Sequence, residues 1–251
     1  MEGTVAWIHL APVKGLGLVE PDAVVLTPEA VAGDRSFHLA DDRGRLVNGK
    51  HLGTLVQVRP DYDETAQTLR LDFPDGAVAS GPVELGDAIT TIFYGRQRQG
   101  RRVLGDFAGA LTEFAGRELQ LVKPEQPGRA QDRGRGGVVS LLSTAACGDH
   151  DPRRFRMTFG VDGIPAHAED DWVGYRVKVG EAVVRPAGHT GRCLVTSQNP
   201  DTGVADMDML QVIRDTRPGD TSEPLPFGVH GTIAQAGTVR LGDAVALLSV
   251  N

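Results

Sequence analysis

Cys193 lies in Gly188-His-Thr-Gly-Arg-Cys-Leu-Val-Thr196, between a segment read as a strand and another that begins at Leu194. That places its thiol at a strand edge beside a loop, next to Arg192 and near His189. Positive neighbours favour the thiolate. A thiolate can attack an electrophile, accept sulfur or ligate a soft metal. A buried, inert thiol is the competing reading, and residue type and spacing leave the two evenly matched. Cys147 ends an apolar helical stretch and reads as structural. Lys14, in Pro12-Val-Lys-Gly15, follows the first strand, and Arg35 closes Gly33-Asp-Arg35 ahead of another. Either can be a solvated surface charge; together they can reach one phosphate. Arg153-Arg-Phe-Arg156 precedes a strand read over Met157–Val161. The acid run Glu169-Asp-Asp171 before Trp172 suits a turn or the start of a helix.

These residues need elements to hold them, and the pattern is mostly β (an α+β class). Val83-Glu-Leu-Gly-Asp-Ala-Ile89, Val177-Lys-Val-Gly-Glu-Ala-Val183 and Val239-Arg-Leu-Gly-Asp-Ala-Val245 each read as strand, Gly-acid turn, strand. Further strands are expected at 4–9, 24–26, 36–40, 56–59 and 69–71. Helices are few. Asp106 is placed to cap one through Phe114, Ser143 or Thr144 to cap a short one through Cys147, and a third starts near Asp206 with Met209, Leu210 and Ile213 on it. The stretch 124–137, rich in Gly, Pro and Arg, reads as a connection. It divides the chain into an N-terminal β-rich part, 1–123, and a second β-rich part, 124–251.

Composition bounds the function. The chain has 251 residues, 40% hydrophobic, with 32 Gly, 15 Pro and a net charge of −7. The hydrophobic fraction suits a globular core. The negative charge does not favour nucleic acid. No apolar run approaches the roughly 18 residues of a membrane helix, and Val138–Cys147, the longest, contains Ser140, Ser143 and Thr144. An N-terminus with Glu2 and no basic stretch does not read as a secretory signal. Two cysteines build no disulfide framework, and the expected location is cytoplasmic. Two cysteines also cannot hold an all-cysteine iron–sulfur cluster, so redox chemistry here needs electrons from another protein. Walker, GxGxxG, CxxCH and HExxH motifs are absent.

In order, Pro12-Val-Lys-Gly15, Gly33-Asp-Arg35, Leu142-Ser-Thr144, Arg154-Phe-Arg156, Ala168-Glu-Asp-Asp-Trp172, Gly191-Arg-Cys193, Asn199-Pro-Asp-Thr-Gly203, Phe227-Gly-Val229 and Gly242-Asp243 span nearly the whole chain. Their shared order resembles the MOSC family, named for the C-terminal domain of molybdenum cofactor sulfurase, with its N-terminal β-barrel region. Within it the likeness is to the amidoxime-reducing components. The resemblance implies a β-barrel-like fold with a few short helices and a molybdenum cofactor (Mo-molybdopterin) ligated by Cys193. It puts Lys14, Arg35, Ser143, Thr144, Arg156, Arg192 and His230 at the pterin and its phosphate. It implies two-electron reduction of N-hydroxylated small molecules, with electrons from a flavin, haem or iron–sulfur protein. Asp171, His189 and His230 are candidates for moving the proton. The alternative is a sulfur carrier or cofactor-handling protein using Cys193 with a cysteine desulfurase as partner; no lysine for pyridoxal phosphate is evident in this chain. Thr158 departs from the family, whose members usually carry Asn there.

Overall fold

The computed structural model describes residues 2–128, 130–132, 134–217 and 223–248, with 134 and 135 described for the backbone alone. Seven strands close into a barrel in the order Glu2–Ile8, Phe159–Asp162, Val139–Ser143, Pro226–Gln235, Ala182–Gly191, Val177–Val179, Ala244–Leu247, and back to the first. All neighbours are antiparallel except Val139–Ser143 and Phe159–Asp162. A parallel pair needs a crossover. Here residues 144–158 supply it through the helix Thr144–Cys147 and the 3-10 turn Pro152–Phe155. Closure removes the exposed edges that an open sheet of this size would carry. The interior fills with β-branched and aromatic side chains, among them Val5, Ile8, Phe159, Val161, Val184, Val229 and Val245.

The second core lies in the N-terminal part. A sheet runs Val13–Lys14, Phe37–Ala40, Gln120–Pro124, Arg96–Val103, Leu85–Phe93, with Leu46–Val47 paired to Phe37–Ala40. The meander Arg59–Asp63, Thr68–Asp72, Val78–Pro82 and the helix Phe107–Ala115 complete it. Alternation in Thr68–Asp72 buries Leu69 and Leu71, while Phe107 and Leu111 share the helix face that meets them. A third cluster packs Met209 and Ile213 of the helix Met209–Thr216 against Phe155, Met157 and Phe227. Asp208 caps that helix by accepting from the Gln211 N–H at 3.0 Å.

The chain crosses the division expected at residue 123. Glu2–Ile8 is a stave of the barrel built by the C-terminal half, and Ala23–Leu26 pairs with Gly237–Arg240. Two of the three expected hairpins also differ. Val177–Val179 and Ala182–Gly191 turn at Gly180-Glu181 as read. Gly86-Asp87, by contrast, sits inside the single strand Leu85–Phe93. A Cβ on Gly86 would come 3.2 Å from Leu104 Cγ and closer still to its methyl, so this glycine serves a close approach, not a turn. At Gly242-Asp243 the flanking strands join different sheets: Gly237–Arg240 goes to Ala23–Leu26, Ala244–Leu247 to the barrel. The strand expected at 56–59 is instead the end of a 3-10 turn, Gly53–Gln57, and the start of Arg59–Asp63. Among the described residues no helix is long and apolar enough to cross a membrane.

Candidate functional site

A cavity of about 720 Å3 opens between the barrel end and the N-terminal sheet. Its wall includes Lys14, Arg35, Arg156, Arg192, Cys193 and His230, together with Ser140, Thr158 and Asp132. Each cation is delivered by a local device. Val13–Lys14 pairs in parallel with Phe37–Ala40, which ends Lys14 at the cavity. Arg35 and Arg156 both hold left-handed backbones, with φ of 49° and 50°. Such non-glycine residues cost backbone energy and persist only where the surroundings over-determine them. Here the Arg35 N–H donates to the Ala11 carbonyl at 2.8 Å, and the Arg156 N–H closes the 3-10 turn onto Arg153 O at 3.1 Å. The strand Ala182–Gly191 carries register shifts at 186/188 and 189/191, which re-aim its end. Arg192 follows, its N–H donating to Leu225 O at 2.9 Å, and then Cys193. The Cys193 carbonyl accepts from both the N–H and the Oγ1 of Thr196, at 3.0 and 2.9 Å, which fixes the backbone that carries the thiol.

The charges do not cancel. Lys14 Nζ meets Asp132 Oδ1 at 2.9 Å, and Arg35 pairs with the buried Asp34. Asp34 is itself held by the Ala11 N–H at 2.8 Å and Gln131 Nε2 at 3.0 Å. Arg156 donates to Leu16 O at 2.7 Å, and Arg192 donates to Phe155 O and to Met157 Sδ at 3.3 Å. Among the described residues, neither of these two guanidiniums has a carboxylate partner. Arg192 Nε and Thr190 Oγ1, buried at the same wall, find no hydrogen-bond partner among the described residues. Burial, reinforced by Arg35, lowers both guanidiniums to about 10; Asp34 opposes this at Arg156 and Cys193 opposes it at Arg192. Burial likewise pulls the Lys14 ammonium down, against the pull of Asp132. Unneutralised positive charge lining a cavity favours an anionic ligand with several acceptor oxygens.

Not every expected residue is here. Ser143 ends the strand that supplies Ser140, and Thr144 follows it at the start of the helix Thr144–Cys147. Ser143 Oγ donates to Ile164 O at 3.3 Å and Thr144 Oγ1 to Asp162 Oδ1 at 2.7 Å. Neither lines the cavity, because three residues along a strand carry the chain about 10 Å away. Asp171 is exposed in the 3-10 turn Ala168–Trp172, also outside the cavity wall. His189 Nε2 lies 3.7 Å from Asp170 Oδ1, and Asp170 also pairs with Arg217, away from the cavity. The alternation of the strand Ala182–Gly191 does not bring His189 to the wall that Thr190 joins. Three residues were missed: Ser140, Asp132 and Tyr94. Tyr94 preceding Gly95 in a two-residue turn was the one available signal. Thr158 is 1% exposed, and its N–H donates to Ser140 Oγ at 2.9 Å.

A closed seven-stranded barrel joined to a second β core, with a cationic, thiol-bearing cavity at their junction, defines the class of protein. Residues 2–117 match the MOSC N-terminal beta barrel domain and residues 138–246 the MOSC domain. The chain belongs to the MOSC family. It is 26% identical to the mitochondrial amidoxime reducing component 2 of Bos taurus over 97% of this chain and 82% of that protein. It is 25% identical to the mitochondrial amidoxime-reducing component 1 of Mus musculus over 98% of this chain and 82% of that protein. Among solved structures, the YuaD protein of Bacillus subtilis aligns with a TM-score of 0.45 at 11% identity, covering all of this chain and 98% of that one.

Proposed function

We propose that the chain holds a molybdenum cofactor through Cys193 and works as an oxidoreductase on N-hydroxylated small molecules, with electrons from a flavin, haem or iron–sulfur partner. The observation that carries this reading is the pair of part-buried arginines, Arg156 and Arg192, which have no carboxylate partner among the described residues, beside a thiol in one cavity. The donor set fits the group on both of its chemistries. Lys14, Arg35, Arg156 and Arg192 suit a phosphate, since forked guanidinium donors match its oxygens. The Cys193 thiolate suits a soft metal. When bound, the cofactor supplies two-electron redox chemistry at a metal centre.

The chain's own residues do the rest. Arg192 and Arg156 neutralise and orient the anionic end. Ser140 and Thr158, their hydroxyls 3.1 Å apart, present a donor–acceptor pair at the wall. Of the three groups expected to move a proton, His230 alone lines the cavity, and we assign that task to its ring. Residues from both halves of the chain line the cavity, so these contacts converge on one ligand. A second reading, a sulfur carrier or cofactor-handling protein, uses the same thiol. Leu194 beside it is 67% exposed, which leaves the segment open to a protein donor such as a cysteine desulfurase.

Elemental analysis for molybdenum with pterin fluorescence, on protein from a cofactor-producing host, tests the proposal. Near-stoichiometric metal that is lost in Cys193→Ser supports it, and reduction of an amidoxime with an artificial electron donor completes it. A wild type free of metal and pterin, despite confirmed cofactor supply, overturns it. A mass increase of one sulfur on Cys193 after incubation with a desulfurase would then favour sulfur carriage.

A further inference from the structure

Tyr94 breaks a local rule. Phe93 and Arg96 are cross-strand partners, so Tyr94 and Gly95 make a two-residue turn, with φ of 48° and 81°. A turn with both central residues at positive φ prefers Asn, Asp or Gly first, and a bulky aromatic there is strained. Tertiary contacts hold it. The phenol oxygen accepts from Asn48 Nδ2 at 3.0 Å, and Lys50 Nζ lies 5.4 Å above the ring. Asn48 is in turn fixed by the Lys50 N–H, which donates to its Oδ1 at 3.0 Å. Strain kept this way marks a residue whose side chain is needed where it is.

That place is the wall between two spaces. Tyr94, Asp132 and His230 line both the cavity that contains Cys193 and a second, adjoining one. Because Asn48 donates to the phenol oxygen, the phenol keeps its own proton to give. Among the described residues no acceptor takes it. Burial, with Asp132 adding to it, pushes the Tyr94 phenol up to about 12, so it remains a donor at neutral pH. Asp132 offers the opposite. Its Oδ1 goes to Lys14, and Oδ2 has no hydrogen bond among the described residues. Burial raises the Asp132 carboxyl, but Lys14 and Arg35 outweigh it and keep the group ionised, so Oδ2 is an acceptor only.

We propose that Tyr94 and Asp132 form a recognition pair for an N-hydroxylated amidine: the Tyr94 phenol donates to the ligand's oxygen, and Asp132 Oδ2 accepts from its amino N–H. The choice of ligand rests on the reductase reading. The pair selects ligands that carry an acceptor oxygen and a donor nitrogen side by side. An oxime without the amino group satisfies only Tyr94 and leaves Asp132 facing C–H.

Calorimetric titration of benzamidoxime and of benzaldoxime into the full-length protein tests this, with molybdenum measured on the same samples. The wild type is expected to bind benzamidoxime roughly five- to tenfold more tightly than benzaldoxime, one hydrogen bond's worth. Tyr94→Phe, which keeps the ring, is expected to weaken benzamidoxime by a similar factor with molybdenum content unchanged. Tyr94→Asn suits the turn better and so folds, and it must weaken binding too. Equal affinity in wild type and both variants, equal affinity for the two ligands, or no binding of benzamidoxime overturns the pair. Protein that stays free of molybdenum despite confirmed cofactor supply, yet binds with the expected pattern, sinks the reductase reading and leaves the pair standing. Loaded protein whose binding ignores Tyr94 does the reverse.

Discussion

Replacing Arg192 by Met should leave the ligand-free protein about as stable as the wild type while weakening its response to anions. Burial lowers the guanidinium from 12.5 to about 10. At about 1.4 kcal/mol for each tenfold loss of proton affinity, keeping that charge in the fold costs about 3 kcal/mol. Against this stand the contacts Arg192 makes. Its bond to the Phe155 carbonyl would be lost, leaving a buried acceptor short at a cost of about 1–3 kcal/mol. Its carbon lies 5.6 Å over the Phe155 ring, a contact that a methionine largely replaces. The two sides nearly cancel, so urea unfolding should give a difference within about 1 kcal/mol. Inorganic phosphate, compared with chloride at equal ionic strength, should raise the melting temperature of the wild type more than that of Arg192→Met, because only the wild type offers the full binding site. A loss above about 3 kcal/mol in the ligand-free variant is what breaking a compensated buried pair produces. It would show that the protein already neutralises Arg192, and the argument for an anionic ligand would fall with it.

Other perturbations report on the frame around the cavity. Burial raises the Glu169 carboxyl from 4.5 to about 7. The fold therefore favours its protonated form: the stability it permits is full below pH 4.5 and is lost as pH rises through about 7, by about 3 kcal/mol. Glu169→Gln should flatten the urea midpoint across that window and raise it at pH 8; an unchanged slope refutes the assignment. A Cβ on Gly53 would overlap the Gly203 carbonyl, backbone against backbone, where the 3-10 turn Gly53–Gln57 meets the loop that follows Cys193. Gly53→Ala should cost about 1–3 kcal/mol. Gly109→Ala, in the helix Phe107–Ala115 with open space around it, should instead gain up to about 1 kcal/mol. If the two variants unfold at the same urea concentration, the junction is looser than the structure shows.

What the sequence determined by itself was local. Short strand runs read at 4–9 and 69–71 fell within Glu2–Ile8 and Thr68–Asp72 to a residue, and apolar spacing marked the helices Phe107–Ala115 and Met209–Thr216, because those signals act within a few residues. Asp106, expected as a cap, makes no side-chain cap bond, and Asp208 rather than Asp206 caps the last helix. The order of short motifs marked the family, and with it the Arg-Cys pair at 192–193. Convergence was decided elsewhere. Lys14, Arg35, Arg156, Arg192 and Cys193 are scattered over 180 positions (14 to 193), and only barrel closure and the pairing across the two cores bring them to one wall. Neighbours along a strand, by contrast, part company, so Ser140 reaches the cavity while Ser143, in the same five-residue strand, does not. Gly-acid dipeptides carry no information about what lies across from them, so Gly86-Asp87 reads as a turn in the sequence, and only the fold sets Leu104 against it. Tyr94 is the plainest case: its strained backbone is affordable only because Asn48 and Lys50, distant in sequence, meet its hydroxyl and ring. Charge behaves the same way, since whether a guanidinium lacks an anion depends on every element packed around it.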